Sequence, residues 1–320
     1  MNSVYTIVVP NNDIVRLCGS NDINLKLIEE SLGVSIFTRG NEISVQESDV
    51  LIQERFKYII DRLLDEIDNG NMADTHLVQS ILNTKIEGKN LTEQDRKQLF
   101  SQSSIHIPMG KCSVYPKTQS QAELVQAMRN YDMVFCIGPA GSGKTFLMVA
   151  EALNLVMQHK KSKIILTRPV VEAGESLGFL PGDLEQKISP YLRPLYDAME
   201  MLLPRDQVKK LVENGVIEIA PLAYMRGRTL ADSVVILDEA QNTTTQQMKM
   251  FLTRMGENSK VFVTGDVTQI DLPKRFESGL KQGVHILRNI EEIKIIHFNS
   301  ADVVRNALVR KIVQAYEAHE

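Results

Sequence analysis

Met133-Val134-Phe135-Cys136-Ile137-Gly138-Pro139-Ala140-Gly141-Ser142-Gly143-Lys144-Thr145 decides how this chain is read. Five apolar residues run without a polar break into a glycine-rich turn, and then comes a helical stretch, Phe146 to Gln158. The pattern is G-x-x-x-x-G-K-[ST] in the strand–loop–helix setting it requires. Glycines let the backbone curl until successive N–H groups converge, and converging N–H groups attract phosphate oxygens. The helix N-terminus adds a favourable dipole. Gly138, Pro139, Ala140, Gly141, Ser142 and Gly143 therefore read as a phosphate cradle. Lys144 is placed to reach the β- and γ-phosphates of a nucleotide, and the Thr145 hydroxyl to ligate Mg²⁺.

Working outward, apolar β-branched runs alternate with helical stretches from about residue 113 onward. They are Met133–Ile137, Lys163–Thr167, Val216–Ala220, Val234–Leu237, Val261–Thr264 and Ile293–Phe298. Runs this continuous suit parallel strands buried on both faces. Their alternation with helices predicts an α/β fold, a three-layer sandwich around a parallel sheet. Ligands in such folds bind beyond the C-terminal ends of the strands, so those ends hold the candidate site.

Val234-Val235-Ile236-Leu237 delivers Asp238-Glu239-Ala240-Gln241. An aliphatic strand with an acid at its tip suits Asp238 as a second Mg²⁺ ligand. Glu239 beside it is positioned to orient and deprotonate an attacking water. Val261–Thr264 ends in Gly265-Asp266-Val267-Thr268-Gln269, a GDxxQ pattern shared with the third motif of superfamily 1 helicases. Asp266 and Gln269 are read as groups that sense the γ-phosphate. Gln121 lies 17 residues before Gly138, and a carboxamide there matches the donor and acceptor on the adenine edge. That choice points to ATP. Thr167-Arg168-Pro169 and Arg226-Gly227-Arg228 are candidate phosphate contacts, and Arg228 and Arg305 are candidates for an arginine that completes a neighbouring subunit's site. The six histidines show no HxxxH or HExxH spacing, so the only metal expected is nucleotide-borne Mg²⁺.

The N-terminal part has a different rhythm. Tyr5–Val9, Val34–Phe37 and Glu42–Val45 read as strands, with Arg39-Gly40-Asn41 as a turn. Asn24–Leu32 and Val50–Asp68 read as amphipathic helices. This gives a small α+β domain over 1–85. Residues 86–112 read as a linker with helical pieces, one of them Thr92–Leu99, and the large domain as 113–320. Composition agrees with a folded chain: 43% hydrophobic and 24% charged residues exclude wholesale disorder. Three distant cysteines form no CxxC pair, and no apolar run reaches the length of a membrane span. The first ten residues lack a signal-peptide pattern, so a cytoplasmic protein is expected, with no membrane partner. The net charge is −4, but the first hundred residues carry ten basic and sixteen acidic side chains, so any polyanion site is expected in the second part.

Taken as a set, these residues resemble the PhoH-like family of P-loop ATPases. The match runs through Tyr115-Pro116-Lys117-Thr118 with Gln121, Gly138–Thr145, Thr167-Arg168-Pro169-Val170 and Gly178-Phe179-Leu180-Pro181-Gly182. It continues through Arg226-Gly227-Arg228-Thr229, Leu237–Asn242, Thr264–Asp271 and Asp302-Val303-Val304-Arg305. The N-terminal segment is similar to the family's small KH-like domain, with Gly19-Ser20-Asn21-Asp22 and Arg39-Gly40-Asn41-Glu42. The resemblance implies a RecA-like, superfamily 1 helicase-like core and a cytoplasmic ATPase with links to RNA metabolism and phosphate starvation. It also implies RNA as a partner, an endoribonuclease that matures ribosomal RNA as another, and a homo-oligomer that can be a ring. Two other classes stay open on the residues alone. One is a small-molecule P-loop kinase; the other is a nucleotide-gated scaffold without turnover.

Overall fold

The computed structural model describes residues 4–68, 70–83, 102–111, 113–169, 184–273 and 275–303. The chain divides into two units, Met1–Ser104 with Ser113–Gln119, and Ile105–Cys112 with Ser120–Glu320. The division differs from the expected boundaries for a physical reason. Tyr115 is buried in the core of the first unit, and the Ser80 hydroxyl donates to the Pro116 carbonyl. Ile105 and Ile107 are buried, and Lys111 N–H donates to the Leu202 carbonyl of the second unit at 2.8 Å. The expected helix at Thr92–Leu99 lies outside the described residues.

In the first unit, β1 (Val4–Val8), β2 (Ile36–Arg39) and β3 (Glu42–Gln46) form an antiparallel sheet in the order β1-β3-β2. Gly40, at φ 63°, makes the turn between β2 and β3. Alternation along β3 buries Ile43 and Val45 on the helix-covered face. Helices α1 (Ile14–Cys18), α2 (Ile23–Leu32), α3 (Val50–Asp68) and α4 (Thr75–Asn83) complete the unit. Ile28 of α2 and Phe56, Ile59, Ile60 and Leu63 of α3 fill its core. The opposite face of the sheet leaves Val4, Val8 and Phe37 exposed.

The second unit is built on six parallel strands: β4 (Met133–Ile137), β5 (Lys163–Arg168), β6 (Ile217–Pro221), β7 (Ser233–Leu237), β8 (Lys260–Gly265) and β9 (Ile293–His297). Their order is β6-β5-β7-β8-β4-β9. Every residue of β4 and β7 is buried, as expected for strands covered on both faces. Helices α5 (Gln119–Asn130), α6 (Lys144–Met157), α7 (Leu184–Leu202), α8 (Arg205–Glu213) and α9 (Thr245–Leu252) accompany the sheet, with α10 (Gly279–Leu287) before the last strand. This is the α/β P-loop fold read from the sequence. Strand register aligns the ends of the sheet. Ile137 of β4 pairs with Gly265 of β8, Leu237 of β7 with Val263, and Thr167 of β5 with Leu237. All four tips therefore finish at one end. β8 stands between the strand that leads into the glycine loop and the strand that carries Asp238. Among the described residues no helix is long and apolar enough to cross a membrane.

Candidate functional site

The glycine loop leaves β4 under tight packing. A Cβ on Gly138 would lie 2.5 Å from Phe298 Cβ and 2.8 Å from the Phe298 carbonyl oxygen, so only glycine fits. Gly143 closes the loop at φ 83°, a left-handed conformation that glycine adopts without a steric penalty. α6 then begins at Lys144. The Lys144 ammonium donates to the carbonyls of Gly138 at 2.7 Å and Pro139 at 2.8 Å, so the side chain arches back over its own loop. Burial lowers its pKa; Cys136, Asp266, Glu239 and Asp238 act the other way.

Thr145 and Asp238 come together although 93 residues separate them. Thr145 Oγ1 donates to Asp238 Oδ1 at 2.7 Å. Asp238 is held at the tip of β7 by its own N–H, which donates to the Thr167 carbonyl at 2.9 Å. Burial raises its pKa, and Glu239 adds to the rise; Arg168 and the Thr145 hydroxyl oppose it. Two hard oxygen donors facing each other beside a phosphate loop suit Mg²⁺. Thr145 and Asp238 are the residues that would hold it.

Glu239 has φ 52° and ψ 39°. A non-glycine residue in the left-handed region is strained by about 1–3 kcal/mol, and such strain gathers at functional sites. Its Oε1 accepts from Arg168 Nη2 at 2.9 Å and its Oε2 from Gln241 Nε2 at 2.5 Å. Asp266, at the tip of β8, is buried. One of its oxygens accepts the Ala140 N–H of the loop at 3.1 Å, the other the Thr268 N–H at 2.9 Å and the Thr268 hydroxyl at 2.6 Å. Lys144, Thr145, Arg168, Asp238, Glu239 and Asp266, with loop and strand-tip residues such as Ala140, Gly141 and Gln269, line a cavity of about 420 Å³. Its far wall is α7, through Pro194, Asp197, Ala198 and Met201.

The structure thus gathers Lys144, Thr145, Asp238, Glu239, Asp266 and Gln269 around one cavity. It places two of the other sequence candidates differently. Gln121 is not among the lining residues; its buried amide nitrogen donates to the Ser142 carbonyl at 3.0 Å and braces the loop from behind. Arg228, expected to complete a neighbouring subunit's site, has a partner within its own chain. Its two terminal nitrogens pair with the two carboxylate oxygens of Glu218, at 2.5 and 2.7 Å. Glu218 belongs to β6, the edge strand, with β5, β7 and β8 standing between it and β4. The hydrogen bond from Arg228 lowers the Glu218 pKa, and burial works against it. Arg305 lies outside the described residues, as do Val170 and Gly178–Gly182. Asp302, which precedes it, is buried and accepts the Asn299 N–H at 2.9 Å in a capping box.

Sequence reasoning misses three features of this site. Gln241 stands in the quoted Asp238–Gln241 stretch, but nothing local shows that it reaches both Glu239 and Asp266. Arg168, a candidate phosphate contact by its place at the end of a strand, pairs with Glu239, which nothing local in the sequence shows. The α7 wall carries prolines at 190 and 194, which argue against a helix when read as sequence.

The family model described as "PhoH-like protein" matches residues 113–317. A "PhoH-like protein" of Bacillus subtilis is 49% identical over 311 residues, covering 96% of this chain and 94% of that protein. One from Synechocystis is 40% identical over 316 residues, covering 98% and 95%. "Protein PhoH" of Escherichia coli is 44% identical over 205 residues, covering 63% of this chain and 58% of that protein. Among solved structures, the UvsW helicase from bacteriophage T4 overlaps with a TM-score of 0.38 at 11% identity over 75% of this chain and 78% of that one, a likeness too loose to bear on function.

Proposed function

Because the chain belongs to the PhoH-like family, whose model matches residues 113–317, we propose that it is a Mg²⁺-dependent ATPase that acts in RNA metabolism. The observation that carries the ATPase reading is the convergence of Lys144, Thr145, Asp238 and Glu239 on one cavity. The loop amides and Lys144 bind the phosphates. Thr145 and Asp238 would hold Mg²⁺, which would offset phosphate charge. Glu239 orients a water and takes its proton as the water oxygen attacks the γ-phosphorus; the bond to the bridging oxygen breaks, and ADP leaves with that oxygen. Asp266 fixes the Ala140 amide, and so links the loop to the tip of β8. A Glu beside Asp238 favours water over a small-molecule acceptor, which sets the ATPase above a kinase.

Several parts of the proposal rest on the family resemblance. These are RNA as partner, an endoribonuclease of ribosomal RNA maturation as associate, assembly into a homo-oligomer or ring, and a cytoplasmic setting. The first unit as a KH-like module belongs with them. There the loop Gly19-Ser20-Asn21-Asp22 joins α1 to α2, with Asp22 where a GxxG clamp has its second glycine.

The test is phosphate release from ATP with and without Mg²⁺, and with and without single-stranded RNA. Release that needs Mg²⁺ and rises with RNA is expected. No release under any condition sinks the ATPase reading. Release indifferent to RNA sinks the RNA part alone.

A further inference from the structure

Arg168 closes β5 and lines the same cavity as Lys144 and Thr145. Its guanidinium has three partners in the protein. Nη2 donates to Glu239 Oε1 at 2.9 Å, Nη1 donates to the Tyr191 carbonyl of α7 at 3.1 Å, and Nε lies 3.9 Å from Asp238 Oδ2. Tyr191 comes directly after the carbonyl whose helical bond Pro194 cannot make. With Gln241 on Oε2, both oxygens of the Glu239 carboxylate accept hydrogen bonds from the protein. A base held in this way has one acceptor site on each oxygen already taken by the protein.

A metal between Thr145 and Asp238 would change the charge balance of this cluster. A divalent cation held by Thr145 and Asp238 meets a guanidinium already 3.9 Å from the same carboxylate. A cation on the Oδ1 side of Asp238 repels the guanidinium on its Oδ2 side and weakens that partly exposed ion pair. The guanidinium is then released from the acids more readily. The cavity it lines is where the phosphoryl groups enter, and a planar fork that fits a carboxylate also fits a phosphate.

We propose that Arg168 exchanges partners: it holds Glu239 until a Mg²⁺-bound nucleoside triphosphate enters, and then contacts the terminal phosphoryl group from within the same chain. The exchange rests on the ATPase reading above and deepens it. It frees one oxygen of Glu239 only when a triphosphate is present, so an idle base becomes available together with its substrate. It also supplies in cis the arginine that Arg228, tied to Glu218, does not.

The test measures binding rather than turnover. A fluorescent, non-hydrolysable ATP analogue and a fluorescent ADP are titrated with Mg²⁺ into the full chain and into Arg168→Met, Arg168→Lys, Glu239→Gln and the Arg168→Met/Glu239→Gln double variant. If the pair must break for the triphosphate to bind, Glu239→Gln tightens the triphosphate, and by about 2- to 5-fold more with Arg168 than with Met at this position, the worth of a partly exposed ion pair. Arg168→Met weakens the triphosphate by about tenfold or more, the usual effect of losing a charge-assisted hydrogen bond, and spares the diphosphate. Arg168→Lys recovers part of that loss. Equal effects of Glu239→Gln in both backgrounds overturn the exchange, as does a loss by Arg168→Met that is the same for di- and triphosphate. If the parent chain binds neither nucleotide, the ATPase reading fails and the exchange falls with it. Binding by the parent with an additive cycle removes the exchange alone.

Discussion

Gln241 Nε2 donates to Glu239 Oε2 at 2.5 Å, while the Oε1 of the same amide accepts the Asp266 N–H at 3.0 Å. One buried side chain thereby ties the acid after β7 to the tip of β8. Gly265 makes the approach possible, since a Cβ there would lie 2.7 Å from Gln241 Oε1 and 2.6 Å from Leu280 Cδ2. Asp266 extends the chain of contacts to the Ala140 amide of the phosphate loop. Glu239, Gln241, Asp266 and Ala140 thus form one hydrogen-bonded path across the tips of β7, β8 and β4. Three hydrogen bonds connect the phosphate loop to the candidate base.

Gln241→Leu cuts that path while filling similar space. The buried Asp266 N–H loses its acceptor, which costs about 1–3 kcal/mol. Glu239 loses one of its two anchors. Thermal unfolding should show the lower stability, and steady-state phosphate release should fall with little change in nucleotide affinity. A variant as stable and as active as the parent would show that the bridge has no role.

Arg228→Ala should be mild. It removes a partly exposed bidentate pair with Glu218, worth about 0.2–1 kcal/mol, and leaves turnover close to the parent's. Unfolding and phosphate release measured on the same preparation check both halves. A collapse of turnover in a protein of normal stability would restore the reading in which this arginine completes another subunit's site.

What the sequence shows and what it hides divide along the range of the interactions. The run from Met133 to Thr145 is legible because strand, loop and helix are adjacent in the chain and each glycine has a local reason. Asp238 is legible because four aliphatic residues bring it to a strand tip. The partners of Arg168 and Gln241 are not legible, because each pairing joins elements set beside each other only by the strand order, and that of Arg228 depends on how the turn after β6 folds back. α1 has five residues, too few to show a helical period. α7 buries Leu192, Leu195, Met199 and Leu202 at helical spacing, but its prolines mask that pattern.

Gln121→Leu separates two roles for one amide. A side chain that recognises adenine affects ATP and leaves GTP alone. A side chain that braces the Ser142 carbonyl affects both, because the phosphate loop is common to both nucleotides. With the side chain buried against the loop, the expected outcome is a parallel loss of affinity for ATP and GTP, read by competition binding. A selective loss of ATP affinity would return Gln121 to the adenine.

Glu239→Gln and Asp238→Asn differ by one position and should differ in kind. Glu239 sits at the cavity edge with its backbone in a strained conformation, and Lys144, Thr145, the loop amides and Asp238 all remain in the site when it is replaced. Its replacement by glutamine should slow hydrolysis by about 10²–10⁴-fold, the usual contribution of a general base, and should leave the triphosphate bound. Asp238 is buried and faces Thr145. Its replacement by asparagine removes the charged half of the Mg²⁺ site, so both nucleotide retention and turnover should fall, and added Mg²⁺ should recover part of the loss. Nucleotide affinity across a Mg²⁺ series, together with phosphate release, distinguishes the two. If Glu239→Gln hydrolyses ATP at nearly the parent rate, Glu239 is not the base, and the strain at φ 52° needs another explanation.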